Sequence, residues 1–499
     1  MEPKYIVVQA GGKGTRLEHL TRNKPKALVP VGNRPMLFHL FEQFPDKKYI
    51  VIGDYKCDVL KGYLTVFAGV DYTVVDAGGK TGTCAGLGES VDQIPAGEPF
   101  LLIWCDLVLP EDFQIPAEQA NYIGISKDFP CRWRYERGRF DEVRSIEHGV
   151  AGLFLFKDKA ELRDVPAEGE FVRWLCEKNL VFRELPLCRT KEYGILREYQ
   201  QRESGRCRPF NRLTIDGEVV IKEGIDAQGR ALAVRERAWY TQVIAQGFPN
   251  IPQIYTLAPL KMERIHGKNI FAYTLDHTEK RRVLEELIGC LRAVHALGEI
   301  PAEPESYEEA YLGKTFARLE RIRALVPFAE EPLITINGKK CRNVFFHQEE
   351  LKALTARYLP KTFQLIHGDC TFSNILLRDD KTPVMIDPRG YFGFTELYGD
   401  PAYDWAKLYY SIVGNYDQFN LKRFSLEIED DGVRLMISSN HWEDMERDFF
   451  ALLGEEICET QIKLFHAIIW LSLTTYAWED YDSICGAFYN GLLWLEEVL

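Results

Sequence analysis

Short runs of β-branched and aromatic residues recur along the first part of the chain. They are "YIVVQA" (5–10), "YIVIGD" (49–54), "YTVVDAG" (72–78), "FLLIWCD" (100–106), "YIGISK" (122–127) and "GLFLFK" (152–157). Helical patterns separate several of them, such as "MLFHLFEQF" (36–44) and "GEFVRWLCEKN" (169–179). Near-continuous apolar strands alternating with helices predict an α/β domain over residues 1–200, its mostly parallel sheet covered on both faces. Ligands of such sheets bind beyond the carboxyl ends of the strands.

From about residue 205 the pattern changes. "RLTIDGEVVIKEG" (212–224) reads as a hairpin around Asp216-Gly217, followed by a helix over 230–247 and a strand-like stretch over 251–265. Helical patterns then dominate to Leu499, interrupted near 363–390 by two short strands flanking a loop. This predicts an α+β, bilobal domain over 205–499, with a small lobe at 205–262 and a large helical lobe at 263–499. The polar stretch "QQRESGRCRP" (200–209) is the expected linker.

Composition narrows the function classes. With 499 residues and 46% hydrophobic positions the chain is long enough for more than one core. A net charge of −13 argues against nucleic-acid or membrane binding, so any anion must meet a local basic patch. The 12 cysteines never fall at C-x2-C spacing, which leaves neither a zinc ribbon nor a redox motif. Met1-Glu2-Pro3-Lys4 leads directly into the first strand-like run, and "HAIIWLSL" (466–473) is too short to span a bilayer. A reducing cytoplasm is the expected compartment, and a homo-oligomer is compatible with the sequence.

One such basic patch follows the first strand. "VQAGGKGTRL" (8–17) lacks the third glycine of a dinucleotide fingerprint, whose place is taken by Leu17, and lacks the G-K-[ST] ending of a P-loop. Gly79-Lys80-Thr81 has that ending but no leading glycine, since Val74 stands there. From Lys13 to Lys26 there are five basic residues and one acid, Glu18. Glycines that let backbone N–H groups approach an anion, with Arg16 and Lys26 adding charge, make a phosphate grip.

Together, A-G-G-x-G-T-R-L and the segment Asn23 to Val31 resemble the sugar-phosphate and choline-phosphate nucleotidyltransferase family over roughly residues 1–200. The resemblance implies a Rossmann-like domain in which a substrate phosphate attacks the α-phosphorus of a nucleoside triphosphate and releases pyrophosphate. It implies Gly11, Gly12, Gly14 and Thr15 along the nucleotide, and Arg16 and Lys26 on the triphosphate. Gly82 and Thr83, in "GKTGTCAGLGES" (79–90), would meet the base. It implies Mg²⁺ on Asp106, which ends "FLLIWCD", with Glu192 of Lys191-Glu192-Tyr193 as the nearest match to the second acid. Cys105 stands where the family usually has glycine.

A second constellation lies in "LIHGDCTFSNILL" (365–377) and "PVMIDPRG" (383–390). Asp369, Asn374 five residues later and Asp387 at a strand end supply a base near a hydroxyl and an Asn/Asp pair for a metal, the requirements of phosphoryl transfer. The pattern resembles the aminoglycoside-phosphotransferase and choline-kinase family, which has the protein-kinase fold. The resemblance implies Asp369 as catalytic base, Asn374 and Asp387 on Mg²⁺, and Lys222 on the ATP phosphates, oriented by Glu236. Backbone near Met262 and Glu263 would face adenine, and Asp404 in "GDPAYDWAKL" (399–408) would brace the catalytic loop. Arg389 follows the metal aspartate, where it would hold substrate or phosphate or pair with an acid. Tyr403, Trp405, Trp470, Tyr476, Trp478, Tyr481 and Tyr489 are candidates either for core packing or for caging a quaternary ammonium.

The two readings join as a bifunctional enzyme acting on small molecules. ATP phosphorylates a choline-like alcohol or a sugar, and CTP or UTP then activates the product as a donor for capsule or other surface-glycan decoration. A non-catalytic nucleotide-binding regulator is the rival reading.

Overall fold

Strand β1 (Tyr5–Gln9) is apolar throughout its middle, with Val7 and Val8 fully buried, because it is flanked on both sides within one sheet. In the computed structural model, which describes residues 2–178, 180–203, 211–455 and 457–499, the chain forms two units. One is Met1–Arg206 with Trp478–Asp482, and the other is Cys207–Ala477 with Ser483–Leu499. Positions 204–209 of the expected linker lie outside the described residues.

In the first unit β1 runs parallel to β2 (Lys48–Gly53) and to β4 (Phe100–Trp104), and β2 is parallel to β3 (Asp71–Asp76). In the order β3-β2-β1-β4 the chain connections run to opposite sides of β1, so β1 and β4 flank the switch point beyond whose carboxyl ends ligands of such sheets bind. Beyond β4 the sheet turns antiparallel through β6 (Gly149–Phe156), which also pairs with β5 (Tyr122–Ser126); β5 is in turn parallel to β7 (Arg183–Leu187). Aromatic residues fill this side of the core: Phe154, Phe156 and Phe171 are fully buried.

In the second unit β8 (Asn211–Asp216) and β9 (Val219–Gly224) form the expected hairpin, with Gly217 in the left-handed region at φ 59°. The helix α1 (Ala227–Ala245) packs on β9. The stretch 251–265, read as one strand, is instead a hairpin of β10 (Ile254–Leu257) and β11 (Leu260–Glu263), because Ala258-Pro259 breaks the run and turns it back. The helical lobe also holds a sheet absent from the sequence reading, built from hairpins Leu333–Ile336/Lys339–Arg342 and Phe424–Glu429/Gly432–Ile437. Asn337-Gly338, both at positive φ, is the turn chemistry of the first. Two helices matter below: α2 (Pro401–Ile412) and α3 (Glu459–Leu473). Among the described residues no helix is long and apolar enough to cross a membrane.

Candidate active sites

The parallel pairing of β1 with β4 places the glycine loop beside Asp106, and the Cys105 amide donates to the Gln9 carbonyl at 3.2 Å. Gly11 abuts the chain after β2, where an added Cβ would lie 2.8 Å from the Asp54 Cβ. Gly12 faces open space, and Thr15 and Arg16 are exposed beside it. Gly14 sits at φ 64° and starts a turn of 3-10 helix over Thr15–Thr21. Lys26 folds back under this loop, donating its amide to the Gly12 carbonyl and ion-pairing through its buried amine with Asp106. Burial opposes the Lys26 charge, but Asp106 outweighs it and holds the amine above its ordinary value.

Glu192 arrives from a distant segment. Lys191–Glu192 pairs with Leu107–Val108, and the Tyr193 amide donates to the Asp106 carbonyl at 2.9 Å. Burial first, and the charge of Asp106 second, push the Glu192 carboxyl upward, while Arg16 stands 4.0 Å away. Asp106 Oδ1 is buried and has no hydrogen-bond partner among the described residues. Two adjacent carboxylates with an orphaned oxygen fit a hard divalent cation such as Mg²⁺. Gly82, at φ 90°, packs against the Gly169 backbone, where a Cβ would come within 2.3 Å of a carbonyl oxygen. Thr83 accepts from the Phe171 amide at 2.8 Å through its hydroxyl and from Gln9 Nε2 at 2.6 Å through its carbonyl, which holds this loop at the end of β1.

In the second unit Lys222 on β9 lies 3.0 Å from Glu236 of α1 and 2.6 Å from Asp387. Burial opposes the Lys222 charge, yet Asp387 and Glu236 together keep its amine raised. Burial pushes the Glu236 carboxyl upward against the pull of Lys222. Asp387 holds a left-handed φ of 55°, a strained conformation for a non-glycine residue. Met262 is buried in β11; the Glu263 amide donates to Gln253, and its carboxylate binds Arg378.

The loop carrying Asp369 is cross-braced. Asp404, fully buried on α2, accepts from the amides of His367 at 2.9 Å and Gly368 at 2.7 Å, and lies 3.0 Å from His295 Nε2. Burial works against its charge, but His295 and His367 hold the carboxyl below its usual range. Asn374 Nδ2 donates to Asp369 at both its carbonyl (2.8 Å) and Oδ2 (3.0 Å), so its amide oxygen is the atom left for a cation. The Asn374 carbonyl accepts from the Ile386 amide at 3.0 Å, drawing Asp387 alongside. Asn374 and Asp387 are oxygen donors that suit Mg²⁺.

A cavity of about 270 Å³ opens over Asp369 and Asp387. The sequence reading did not single out Lys407, whose amine lies 3.0 Å from Asp369 Oδ1. Its spacing of three residues from Asp404, on the same helix, was the available signal. Of the aromatic candidates, Tyr403 and Tyr476 line this cavity, while Trp405, Trp470 and Tyr489 are buried core and Trp478 and Tyr481 fall in the first unit.

Comparison with known proteins agrees with both halves. The model of the MobA-like NTP transferase domain matches residues 6–122, and that of the phosphotransferase enzyme family matches 214–425. The glucose-1-phosphate cytidylyltransferase of Salmonella typhi is 40% identical over 181 residues, which cover 31% of this chain and 69% of that protein. The UTP–glucose-1-phosphate uridylyltransferase AglF of Haloferax volcanii is 36% identical over 104 residues, and the chain spans 20% of its own length and only 42% of that relative's. Among solved structures, the CTP:phosphocholine cytidylyltransferase of Streptococcus pneumoniae matches 40% of this chain and 97% of that one at 20% identity, with a TM-score of 0.33. The glycine loop, the paired acids and the Salmonella relative together place this chain in the sugar-phosphate nucleotidyltransferase family, joined here to a domain of the phosphotransferase enzyme family.

Proposed function

We propose that the chain is a bifunctional enzyme that phosphorylates a small alcohol with ATP and then couples that phosphate to a nucleotide. One observation carries the reading: each unit holds its own assembly of lysine and acids, Lys26–Asp106–Glu192 in the first and Lys222–Glu236–Asp387 beside Asp369 in the second. In the second unit Asp369, fixed by Asn374 and Lys407, takes the proton of the acceptor hydroxyl as its oxygen attacks the γ-phosphorus of ATP. Lys222 carries phosphate charge, and ADP leaves.

In the first unit an oxygen of the new phosphate attacks the α-phosphorus of an NTP, and the bond to the β-phosphate breaks to release pyrophosphate. The glycine loop offers N–H groups to the triphosphate, and Lys26 and Arg16 bear its charge. Mg²⁺, held by Asn374 and Asp387 in one unit and by Asp106 and Glu192 in the other, would supply neutralisation of phosphate oxygens. The activities named for the Salmonella and Haloferax relatives support a sugar-type acceptor and CTP or UTP over choline. The product would serve as a nucleotide-activated donor for surface-glycan decoration. The test is Mg²⁺-dependent release of ADP and of pyrophosphate across a panel of alcohols, sugars and NTPs. Absence of both across the panel contradicts the reading.

A further inference from the structure

The cavity over Asp369 is lined by more basic side chains than acidic ones. Lys222 is paired with Glu236 and Asp387, and Lys407 with Asp369. Three more cations line the same space, namely Lys314, Arg318 and Arg389. Among the described residues none of these three has a carboxylate within 4 Å. Arg389 is held instead by neutral groups, donating to the hydroxyls of Tyr403 at 2.7 Å and Tyr391 at 2.9 Å. Arg318 donates to Ser472, at its carbonyl (2.5 Å) and hydroxyl (2.9 Å). Burial, then the like charges of Arg389, Arg318 and Lys407, drive the Lys314 amine well below its ordinary value, with Glu309 the opposing charge. Basic side chains gathered with no carboxylate within 4 Å mark a place built for an anion, whose charge would restore the Lys314 ammonium.

Two occupants compete for that role. The ATP triphosphate already has Lys222, which comes from β9 of the small lobe. Lys314 and Arg318 stand four residues apart on one face of the helix Lys314–Ile322, and Arg318 is tied to the end of α3, so both belong to the large lobe. The other occupant is the acceptor. A quaternary ammonium would need open aromatic faces, but here the protein's own cations stand over three of the tyrosines that line the cavity. Lys314 lies 5.2 Å from the Tyr403 ring centroid, Lys407 5.2 Å from that of Tyr410, and Arg389 4.5 Å from that of Tyr391.

We propose that the alcohol phosphorylated in the second unit already carries an anionic group, a phosphate or a carboxylate, which Arg318, Lys314 and Arg389 bind while its hydroxyl faces Asp369. This rests on the kinase reading above and narrows its substrate class. An acceptor of this kind leaves the second unit with two acidic groups, of which the newly made phosphate goes on to the first.

The experiment measures ADP release by the full chain with Mg²⁺ and ATP on matched pairs: a sugar phosphate against its free sugar, a hydroxy acid against its amide, and choline alongside. The anionic member should exceed its neutral partner and choline by about 100-fold in kcat/KM, and the better anionic arm separates phosphate from carboxylate. Arg318→Gln, and separately Lys314→Met, should raise KM for that acceptor about tenfold and leave KM for ATP within about twofold, with Arg318→Lys recovering part of the loss. Choline or neutral partners that perform equally, or a loss that falls on KM for ATP, overturn the proposal. Calorimetry with inorganic phosphate on the Asp369→Asn chain, with ADP present, separates the two readings. Binding that Arg318→Gln weakens about tenfold, without turnover of any panel member, sustains the anion site and sinks the kinase. Turnover of neutral acceptors without such binding does the reverse, and neither signal sinks both.

Discussion

In the first unit the charged groups stand at the ends of neighbouring parallel strands, so the sheet itself sets their spacing. In the second they sit on a loop whose shape is imposed by side chains from distant helices. Lys26 and Asp106 meet because β1 and β4 are adjacent, and Glu192 joins through a two-residue ladder. Asp369 is placed through side chains that include Asp404, His295, Asn374 and Lys407. Among the described residues the first arrangement leaves Asp106 Oδ1 without a hydrogen-bond partner, while the second ties Asp369 to named donors. A backbone-built site depends on few charged side chains, so losing one is severe. A side-chain web spreads its dependence and couples chemistry to stability.

That contrast can be broken by experiment. Lys26→Met should have the largest effect, lowering kcat/KM for pyrophosphate release by about 10³-fold, because Lys26 is the ion-pair partner of Asp106 among the described residues. Lys222→Met should cost the kinase about 10²-fold, since Arg389 and Lys407 keep positive charge in its cavity. Steady-state ADP and pyrophosphate assays on the same preparations give both values, and the reverse order would undo the comparison. Asp404→Ala strips the acceptor from two amides and from His295. It should destabilise the second unit by about 3 kcal/mol in chemical denaturation and lower its kcat about 100-fold. Pyrophosphate release by the first unit should stay within about twofold.

The smallest effect concerns Asp400, the N-cap of α2, which accepts from the Ala402 amide and the Tyr311 hydroxyl, each at 3.0 Å. Burial pushes its carboxyl up to about 7. The folded state therefore holds a proton that the unfolded chain gives up at lower pH. The resulting stabilisation is complete below the ordinary carboxylate range and is lost as pH rises through about 7. Asp400→Asn should flatten the fall of melting temperature with rising pH across this window.

The same contrast decides what was legible in the sequence. A glycine loop directly after a strand, and an aspartate ending another, are local signals, so the resemblance could point to Lys26 and Asp106, whereas Glu192 comes from a distant segment. His367, Asp369, Asn374 and Asp387 are equally local. Their supports are not: His295 lies 109 residues from Asp404, and no periodicity links them. Lys314 and Arg318 belong to no local motif, because only tertiary packing turns them into the cavity. The hairpin around Asn337-Gly338 had a readable turn, yet the surrounding helical patterns obscured it. The chain at 251–265 was misread because a proline inside a strand-like run marks a turn as well as an edge.

The central claim is that one chain holds two separate phosphate-transfer sites. Its most direct test measures both half-reactions on Asp369→Asn and on Asp106→Asn. The account predicts that Asp369→Asn loses phosphorylation but still transfers a nucleotide to a pre-phosphorylated substrate, and that Asp106→Asn does the opposite. If either substitution abolishes both half-reactions while the protein stays folded, the two-site account is wrong.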